Sequence, residues 1–255
     1  MAAQTKPVLW QIEISHYSEK VRWALEYKGI DHVRRAPLPG THIPIALFLT
    51  RGGQPTFPVL QMDGRTIGDS TAIIAALEAK YLDRPLYPPK PEERLRALEL
   101  EDWFDENLGP QARLLPFYEL IQEPELFGAV AAENVPGPLA KAKPLVGAYG
   151  RIYTSLRWGA DKAGDAERAR QGIVVALDKL EAELARGEGE FLVGEELSVA
   201  DVTAASLFYP LVVPPEGPLS PDLPRPAAFD RFRGELSHRP GYRWVEETFR
   251  RHRHR

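Results

Sequence analysis

The 255-residue chain contains no cysteine. This absence excludes disulfide bonds, a thiolate nucleophile supplied by the protein, a Cys-x-x-Cys redox motif and cysteine-ligated metal sites. The fold must therefore be held by its apolar core, for which a hydrophobic content of 44% is ample. A chain of this length forms one large domain or two modest ones.

The chain also lacks a strong excess of charge of either sign. Its formal net charge is −4 and its isoelectric point is about 5.9, so it offers no basic field to nucleic acid or to an anionic membrane. A signal-peptide pattern is missing, and no apolar stretch approaches the roughly 20 residues of a membrane span. We therefore expect a cytoplasmic protein whose partner is a small molecule or another protein, with neither nucleic acid nor a membrane involved.

One basic cluster stands apart, in residues 249–255. A few terminal charges are typical of a solvated, frayed helix end rather than of a binding patch. His252 and His254 could hold a metal ion only weakly, because no cysteine or nearby carboxylate completes a ligand set. We expect no metal site.

Strand and helix patterns alternate through the first third of the chain. Asp63-Gly64 lies between two apolar segments, which is a strong signal for a two-residue β-hairpin turn. Two strands separated by a helix are expected to be parallel. The predicted order is β-α-β-α-β-β-α, a complete small α/β domain. The segments are residues 8–14, 18–28, 31–35, 45–50, 58–67 and 71–77.

A proline-rich linker follows the α/β pattern. Four prolines between residues 83 and 91 cannot lie inside a helix or a sheet. Beyond it, helical periodicity replaces strand alternation, so the second domain is predicted to be all-helical. The predicted division is 1–83, a linker at 84–91, and 92–255. Its periodic segments are residues 92–108, 168–184, 199–208 and 242–252, whereas residues 122–144 are punctuated by Pro and Gly and allow no helix assignment.

The turn between the first strand and the first helix carries Ser15-His16-Tyr17-Ser18. A redox protein would place Cys-x-x-Cys at such a turn, because the helix N-terminus favours a thiolate. Serine hydroxyls in those places can bind and polarise the thiol of another molecule but cannot exchange disulfides. The motif therefore indicates thiol binding rather than thiol redox chemistry.

Four segments in this order resemble the cytosolic glutathione transferases, of the serine type and most like bacterial members. They are residues 15–22, 57–60, 68–70 and 198–201. The resemblance spans nearly the whole chain. It implies a thioredoxin-like N-terminal domain that binds glutathione, an all-α helical-bundle C-terminal domain that holds the acceptor substrate, and a homodimer.

The resemblance implies a glutathione site across the first domain. Pro58 would follow a cis peptide bond, and the main chain of Phe57 would pair with the cysteine of glutathione. Ser70, at a helix N-terminus, would bind the γ-glutamyl carboxylate, while Asp69 would receive the ammonium group. The alternatives are a proline tolerated at a strand start and an ordinary N-cap pair.

Ser15 occupies the position at which serine-type members carry their activating hydroxyl. A hydrogen bond to a charged acceptor contributes about 1.5–3 kcal/mol and one pKa unit corresponds to about 1.4 kcal/mol, so one hydroxyl can lower a thiol pKa by about one to two units. Ser18 is the competing activator, and it could equally cap the first helix. Tyr17 could face the acceptor. His16 has no visible carboxylate partner and is not expected to act as a base.

Two further groups of residues suggest chemistry but are interpreted as structural. Ser198 and Asp201 have the spacing of a capping box. Aromatic residues at helical spacing are more often core than pocket, and none of the candidates for the acceptor pocket is singled out. Those candidates are Trp103, Phe104, Phe117, Tyr118, Tyr153 and Trp158.

The leading hypothesis is a glutathione transferase that conjugates the thiolate to a small hydrophobic electrophile. Glutathione-dependent isomerisation, dehalogenation or peroxide reduction remains open, because each uses only the bound thiolate. Thiol reduction through a mixed disulfide with the protein is excluded, since no protein cysteine exists to carry it. A non-enzymatic glutathione-binding or ligand-binding module is the alternative from a different class.

Overall fold

The computed structural model describes residues 5–38, 40–133, 141–187 and 189–253. Its first part is a four-stranded mixed sheet with three helices, and the rest is helical, which confirms the predicted fold class. The elements of the first part are β1 Val8–Trp10, α1 His16–Tyr27, β2 Val33–Arg35, α2 His42–Leu49, β3 Val59–Met62, β4 Arg65–Gly68 and α3 Ser70–Lys80.

The sheet has the strand order β2-β1-β3-β4. β1 pairs parallel with β2, as expected of strands joined through a helix, and antiparallel with β3. The β3–β4 hairpin turns at Asp63-Gly64, where both residues have positive φ, as the sequence predicts. Leu9 and Leu60 lie opposite each other in the middle strands and are wholly buried.

The structure shortens the first strand and lengthens the first helix relative to the sequence prediction. β1 ends at Trp10 rather than at residue 14, and α1 begins at His16 rather than at Ser18. Ser15 is the N-cap of α1, and its side chain accepts a hydrogen bond from the Ser18 amide. The alternative in which Ser18 caps the helix is therefore wrong.

Residues 81–90 contain neither helix nor strand, and helices occupy most of the described chain beyond residue 90. Four of these helices, α5, α6, α7 and α10, were not assigned from the sequence. Proline or glycine interrupts the pattern of three of them: α5 contains Pro116, α6 lies in the segment left unassigned, and α7 contains two glycines. The elements are α4 Pro91–Asn107, α5 Gly109–Gln122, α6 Pro124–Glu133, α7 Lys143–Trp158, α8 Ala163–Arg186, α9 Val199–Val212, α10 Ala227–Leu236 and α11 Pro240–His252.

Helix α9 is the centre of the helical part, with every residue buried. It begins at the predicted capping box, in which the Ser198 amide and hydroxyl both donate to Asp201, and Asp201 also accepts from the Leu192 amide at 2.7 Å. These bonds fix a buried helix start, so the pair is structural, as the spacing indicates. Farther along α9, the buried Tyr209 donates to the carbonyl of Ile14, just before Ser15.

The basic C-terminal segment is helical to His252, so it is not frayed over the described residues, and it is solvated only in part. Phe249 packs on Trp23 of α1 with ring centroids 4.7 Å apart. Arg253 is buried and donates to Glu19 at 2.6 Å and also to Glu26. Phe249 and Arg253 therefore anchor the end of α11 to α1, whereas Arg250 and Arg251 are exposed, as expected of solvated charges. His254 and Arg255 lie outside the described residues.

Within the described ranges, no helix is long and apolar enough to cross a membrane.

Candidate functional site

A cavity of about 440 Å³ lies between the loops and helix starts of the first part of the chain and the helices of the second part. Every residue assigned to the site from the sequence, apart from the runner-up Ser18, lines it. In the first part of the chain, the lining residues come from the β1–α1 turn, the first residues of α1, α2, the segment that precedes β3 and the start of α3. The opposite wall comes from α4, α5 and α7, with further residues of α6, α9, α10 and the segment between α9 and α10.

The two candidate serines have different environments. Ser15 is half-buried and lines the cavity, and its hydroxyl oxygen accepts from the Ser18 amide at 3.3 Å. A hydroxyl that accepts in this way still has its own hydrogen to donate. Ser18 is wholly buried, lies outside the cavity lining, and accepts from the Ile12 amide at 3.3 Å. The geometry therefore favours Ser15 as the hydroxyl that meets a bound thiol.

His16 and Tyr17 follow Ser15 in the same turn and also line the cavity. Burial and the nearby Arg113 lower the pKa of His16 to about 3, so the imidazole is neutral at physiological pH. Tyr17 donates its hydroxyl to the main-chain carbonyl of Asp105 at 2.8 Å, which connects the turn to α4. Burial and Asp105 raise the pKa of Tyr17, so this phenol stays protonated.

His16 should make the stability of the protein depend on pH. Its folded pKa of about 3 is below the ordinary value of 6.5, so the unfolded chain binds more protons and stability falls as pH falls through that window. Between pH 8 and pH 5 the loss is about 2 kcal/mol. In urea titrations, the free energy of unfolding of His16→Gln should fall between pH 8 and pH 5 by about 2 kcal/mol less than that of the wild-type protein. An unchanged pH dependence of the free energy of unfolding in His16→Gln would contradict this assignment.

The peptide bond between Phe57 and Pro58 is cis, as predicted, and both residues line the cavity. Val59 directly after them pairs with Trp10 of β1, so the sheet fixes the position of this corner. The Phe57 ring is buried between Trp10 and His42, with ring centroids 6.4 and 6.2 Å away. The main chain of Phe57 is thus held at the cavity wall by its own side chain.

Asp69 and Ser70 mark the start of α3 and line the cavity as well. Asp69 has a φ of 73° and accepts from the Ala72 amide at 3.1 Å, so it is the helix N-cap. Ser70 is buried in the first turn, where free N–H groups and the helix dipole attract an anion. The capping alternative is correct for Asp69, and it is compatible with a ligand on the remaining carboxylate oxygen.

A buried ionic cluster joins this part of the cavity to α4, and the sequence analysis missed it. Lys20 and Glu101 are wholly buried 2.8 Å apart, and Lys20 also lies 2.6 Å from Asp105. Thr71, next to Ser70, donates to the same Asp105 oxygen at 2.9 Å. Asp105 lines the cavity, and its second carboxylate oxygen is buried without a partner among the described residues. Only the folded chain brings these groups together.

The opposite wall carries two arginines, Arg113 of α5 and Arg157 of α7. Neither guanidinium is within ion-pair distance of a carboxylate in the described parts of the chain. Arg113 lies over the Trp158 ring at 4.9 Å, and its Nε is buried without a hydrogen-bond partner there. Burial lowers the pKa of Arg113, and Arg157 acts in the same sense. Unpaired positive charge in a cavity favours an anionic ligand.

The aromatic candidates divide between pocket and core. Phe117, Tyr153 and Trp158 line the cavity. Phe104 is wholly buried in the main core, against which Trp103 and Tyr118 pack. The sequence did not separate the two groups, because helical periodicity places aromatics on a buried face whether or not that face borders a cavity.

Helices α2 and α7 contact each other at the cavity through His42 and Tyr153, which both line it. His42 Nε2 is 3.0 Å from the Tyr153 hydroxyl oxygen, and His42 Nδ1 accepts from the Gly40 amide at 3.3 Å. Burial lowers the pKa of His42 and raises that of Tyr153. Both side chains are therefore neutral at physiological pH.

Among the residues that the structure describes, no three or more His, Cys, Asp or Glu side chains are grouped so that they could hold a metal ion.

Two family profiles match the chain. One is described as the N-terminal domain of glutathione S-transferase and matches residues 9–85, and the other is described as the C-terminal domain and matches residues 163–234. Arg113, Tyr153 and Arg157 lie between the two matches.

Several known proteins are similar to this chain in sequence or in structure. Maleylacetoacetate isomerase of Dictyostelium discoideum is 25% identical over 218 residues, covering 81% of this chain and 80% of that protein. The same enzyme of Rattus norvegicus is 26% identical over 211 residues, covering 78% and 76%. The structure of maleylacetoacetate isomerase from Anaeromyxobacter dehalogenans, with glutathione bound in its active site, has a TM-score of 0.59 at 22% identity and covers 96% of this chain and 90% of that one. Another structure of that protein holds dicarboxyethyl glutathione and citrate.

Proposed function

Since the chain belongs to the glutathione S-transferase superfamily, we propose that it binds glutathione, stabilises the thiolate through Ser15 and directs it at an electrophile that carries a carboxylate. The observation that carries the proposal is that Ser15, Phe57 and Ser70 all line the same cavity. The reaction is conjugation or glutathione-dependent isomerisation. Isomerisation is favoured by the relatives, which are maleylacetoacetate isomerases.

The first part of the chain offers one site for the γ-glutamyl end of glutathione and another for its central cysteine. The start of α3 and the Ser70 hydroxyl suit a carboxylate, and the adjacent Asp69 suits an ammonium group. The main chain of Phe57 offers an N–H and a C=O beside the cis bond. Tyr17 lines the same cavity. Bound in this way, glutathione would place its thiol near the β1–α1 turn.

Ser15 supplies what a thiol needs at neutral pH. Its oxygen already accepts from the Ser18 amide, so its O–H donates toward the sulfur. The N-terminus of α1 acts in the same direction, because its partial positive charge favours an anion. Among the described residues of the cavity we assign no base: the pKa of His16, lowered to about 3 by burial and Arg113, is too low for this imidazole to hold the proton at physiological pH, so the proton leaves to solvent.

The sequence predicts a small hydrophobic electrophile, and the acceptor side of the cavity supports one that is also negatively charged. Phe117 and Trp158 provide the apolar surface, but Arg113 and Arg157 add two unpaired positive charges. A carboxylate on the acceptor would pair with them, and each such charged hydrogen bond contributes about 1.5–3 kcal/mol. We therefore propose an acceptor with an apolar or unsaturated body and at least one carboxylate.

Arg113→Gln should weaken binding of a carboxylate-bearing conjugate and spare a neutral one. For S-(1,2-dicarboxyethyl)glutathione we expect a loss of affinity of about 10- to 100-fold, as for a charged hydrogen bond. The affinity for S-butyl glutathione should change by less than about threefold. Isothermal titration calorimetry measures both, and Arg151→Gln, an arginine of α7 outside the cavity lining, is the matched control.

Two results would count against the proposed function. Equal losses for both conjugates in Arg113→Gln would show that this arginine supports the fold rather than an anionic acceptor. The absence of binding of glutathione and of both conjugates to the wild-type protein would overturn the proposed function as a whole. The homodimer and the cytoplasmic location expected from the sequence stay predictions.

A further inference from the structure

Tyr153 is held by α7 at the cavity wall, in a segment that neither family profile matches. It faces the cavity together with Ser15 of the opposite wall, and its hydroxyl is 3.0 Å from His42 Nε2. The two helices that make this contact, α2 and α7, are not among the elements to which we assign glutathione binding. The direction of the hydrogen bond decides what Tyr153 can do.

The tautomer of His42 follows from its two neighbours. The Gly40 amide can only donate, so Nδ1, at 3.3 Å, is the accepting nitrogen. A neutral imidazole with a free lone pair on Nδ1 carries its hydrogen on Nε2. His42 therefore donates to the Tyr153 oxygen, and the Tyr153 hydrogen is left to donate to a third group.

The surroundings keep that hydrogen on Tyr153 and strengthen its donation. Burial raises the pKa of Tyr153 even though Arg157 and Arg113 act in the opposite direction. An O–H whose oxygen already accepts a hydrogen bond is polarised and becomes a better donor. Tyr149 stacks on Tyr153 with ring centroids 6.2 Å apart and limits where the ring can move.

We infer that Tyr153 forms a carbonyl-binding subsite and donates a hydrogen bond to the carbonyl oxygen of an α,β-unsaturated acceptor. The inference rests on the proposed function. What it adds is a catalytic residue for that reaction, Tyr153, which would touch the carbonyl group of the acceptor. His42 is the positioning residue, because it acts only through Tyr153.

The chemistry assigned to Tyr153 balances without a further reactant. When the sulfur–carbon bond forms at the β carbon, the C=C electron pair moves toward the carbonyl carbon and the C=O π pair passes to oxygen as an enolate. Tyr153 keeps its proton and stabilises this charge by hydrogen bonding. Return of the electron pair after rotation about the former double bond breaks the sulfur–carbon bond and releases an isomer. Protonation of the α carbon by water gives the conjugate instead.

The first test is equilibrium binding, which needs no turnover. S-(3-oxobutyl)glutathione carries the carbonyl and S-butyl glutathione does not. Tyr153→Phe should weaken binding of the oxobutyl conjugate by about 3- to 10-fold, as for one neutral hydrogen bond, and change the S-butyl affinity by less than about twofold. Tyr149→Phe, on the same helix but outside the cavity lining, should leave both affinities unchanged.

The second test is kinetic. Addition of glutathione to methyl vinyl ketone should lose about 10- to 100-fold in kcat/KM in Tyr153→Phe, because the lost hydrogen bond is made to the charged enolate in the transition state. Displacement of chloride from 4-nitrobenzyl chloride develops no oxyanion and should change by less than about twofold.

The outcomes separate the inference from the proposed function. Unchanged oxobutyl affinity in Tyr153→Phe, or equal losses with both conjugates or both electrophiles, would overturn the inference alone. Binding of the conjugates by the wild-type protein without turnover of either electrophile would also overturn it. Failure of the wild-type protein to bind S-butyl glutathione would overturn both.

Discussion

Ser15→Ala is expected to raise the pKa of the bound glutathione thiol by about one to two units. The variant loses the O–H that lines the cavity, while the N-terminus of α1 remains. Below both pKa values the thiolate, and with it kcat/KM, should fall by about 10- to 100-fold. Above the raised pKa most of the activity should return. Thiolate ultraviolet absorbance against pH measures the shift directly.

Two further variants separate the hydroxyl from the helix cap. Ser15→Ala also removes the acceptor for the Ser18 amide, which costs about 1 kcal/mol of stability. Ser15→Gly removes the same hydroxyl with a capping cost of only a few tenths of a kcal/mol, so its thiol pKa should rise equally. Ser18→Ala should lower stability through its lost bond to Ile12 and leave the thiol pKa unchanged. A pKa shift confined to Ser18→Ala would reverse the assignment.

Lys20→Met is expected to lower the free energy of unfolding by about 3–5 kcal/mol. It leaves Glu101 buried without its ion-pair partner and removes one partner of Asp105. Burial already raises the pKa of Glu101 against the pull of Lys20. The loss should shrink toward acid pH, where protons neutralise the stranded carboxylates. Urea or thermal unfolding at two pH values provides the measurement.

The matched control is Lys179→Met. Lys179 pairs with Glu183 at 2.8 Å on a partly exposed face, and Arg96 and Arg186 also contact that carboxylate. Its removal should cost about 1 kcal/mol or less. Lys20→Met/Glu101→Leu should recover part of the loss, since removing both buried charges is far less costly than stranding one. Equal stability of Lys20→Met and Lys179→Met would show that the buried cluster does not hold the two parts together.

The sequence predicted the features that local chemistry determines. Asp63-Gly64 gives a hairpin because its two residues tolerate positive φ, and Ser198 with Asp201 gives a capping box because of their spacing. The order of strands and helices in the first part follows from the alternation of period-2 and period-3.6 patterns. The cis bond before Pro58 was predicted from the neighbouring motifs of the resemblance, because a proline alone does not indicate it.

The features that the sequence did not predict depend on tertiary contacts. Ser15 and Ser18 are both plausible caps in the sequence, and only the folded turn shows which of them borders the cavity. Asp105 contacts Lys20 from 85 residues away, a separation that leaves no sequence signal. Arg113 and Tyr153 lie in helices that the sequence did not assign, because proline and glycine interrupt their patterns.

A crystal structure of the wild-type protein with glutathione bound would test the role of Ser15 most directly. We predict that the sulfur lies within hydrogen-bond distance of the Ser15 oxygen, about 3.0–3.5 Å, with the γ-glutamyl carboxylate at the start of α3 beside Ser70. A sulfur that meets another side chain, or a glutathione molecule bound elsewhere with Ser15 facing water, would contradict this role.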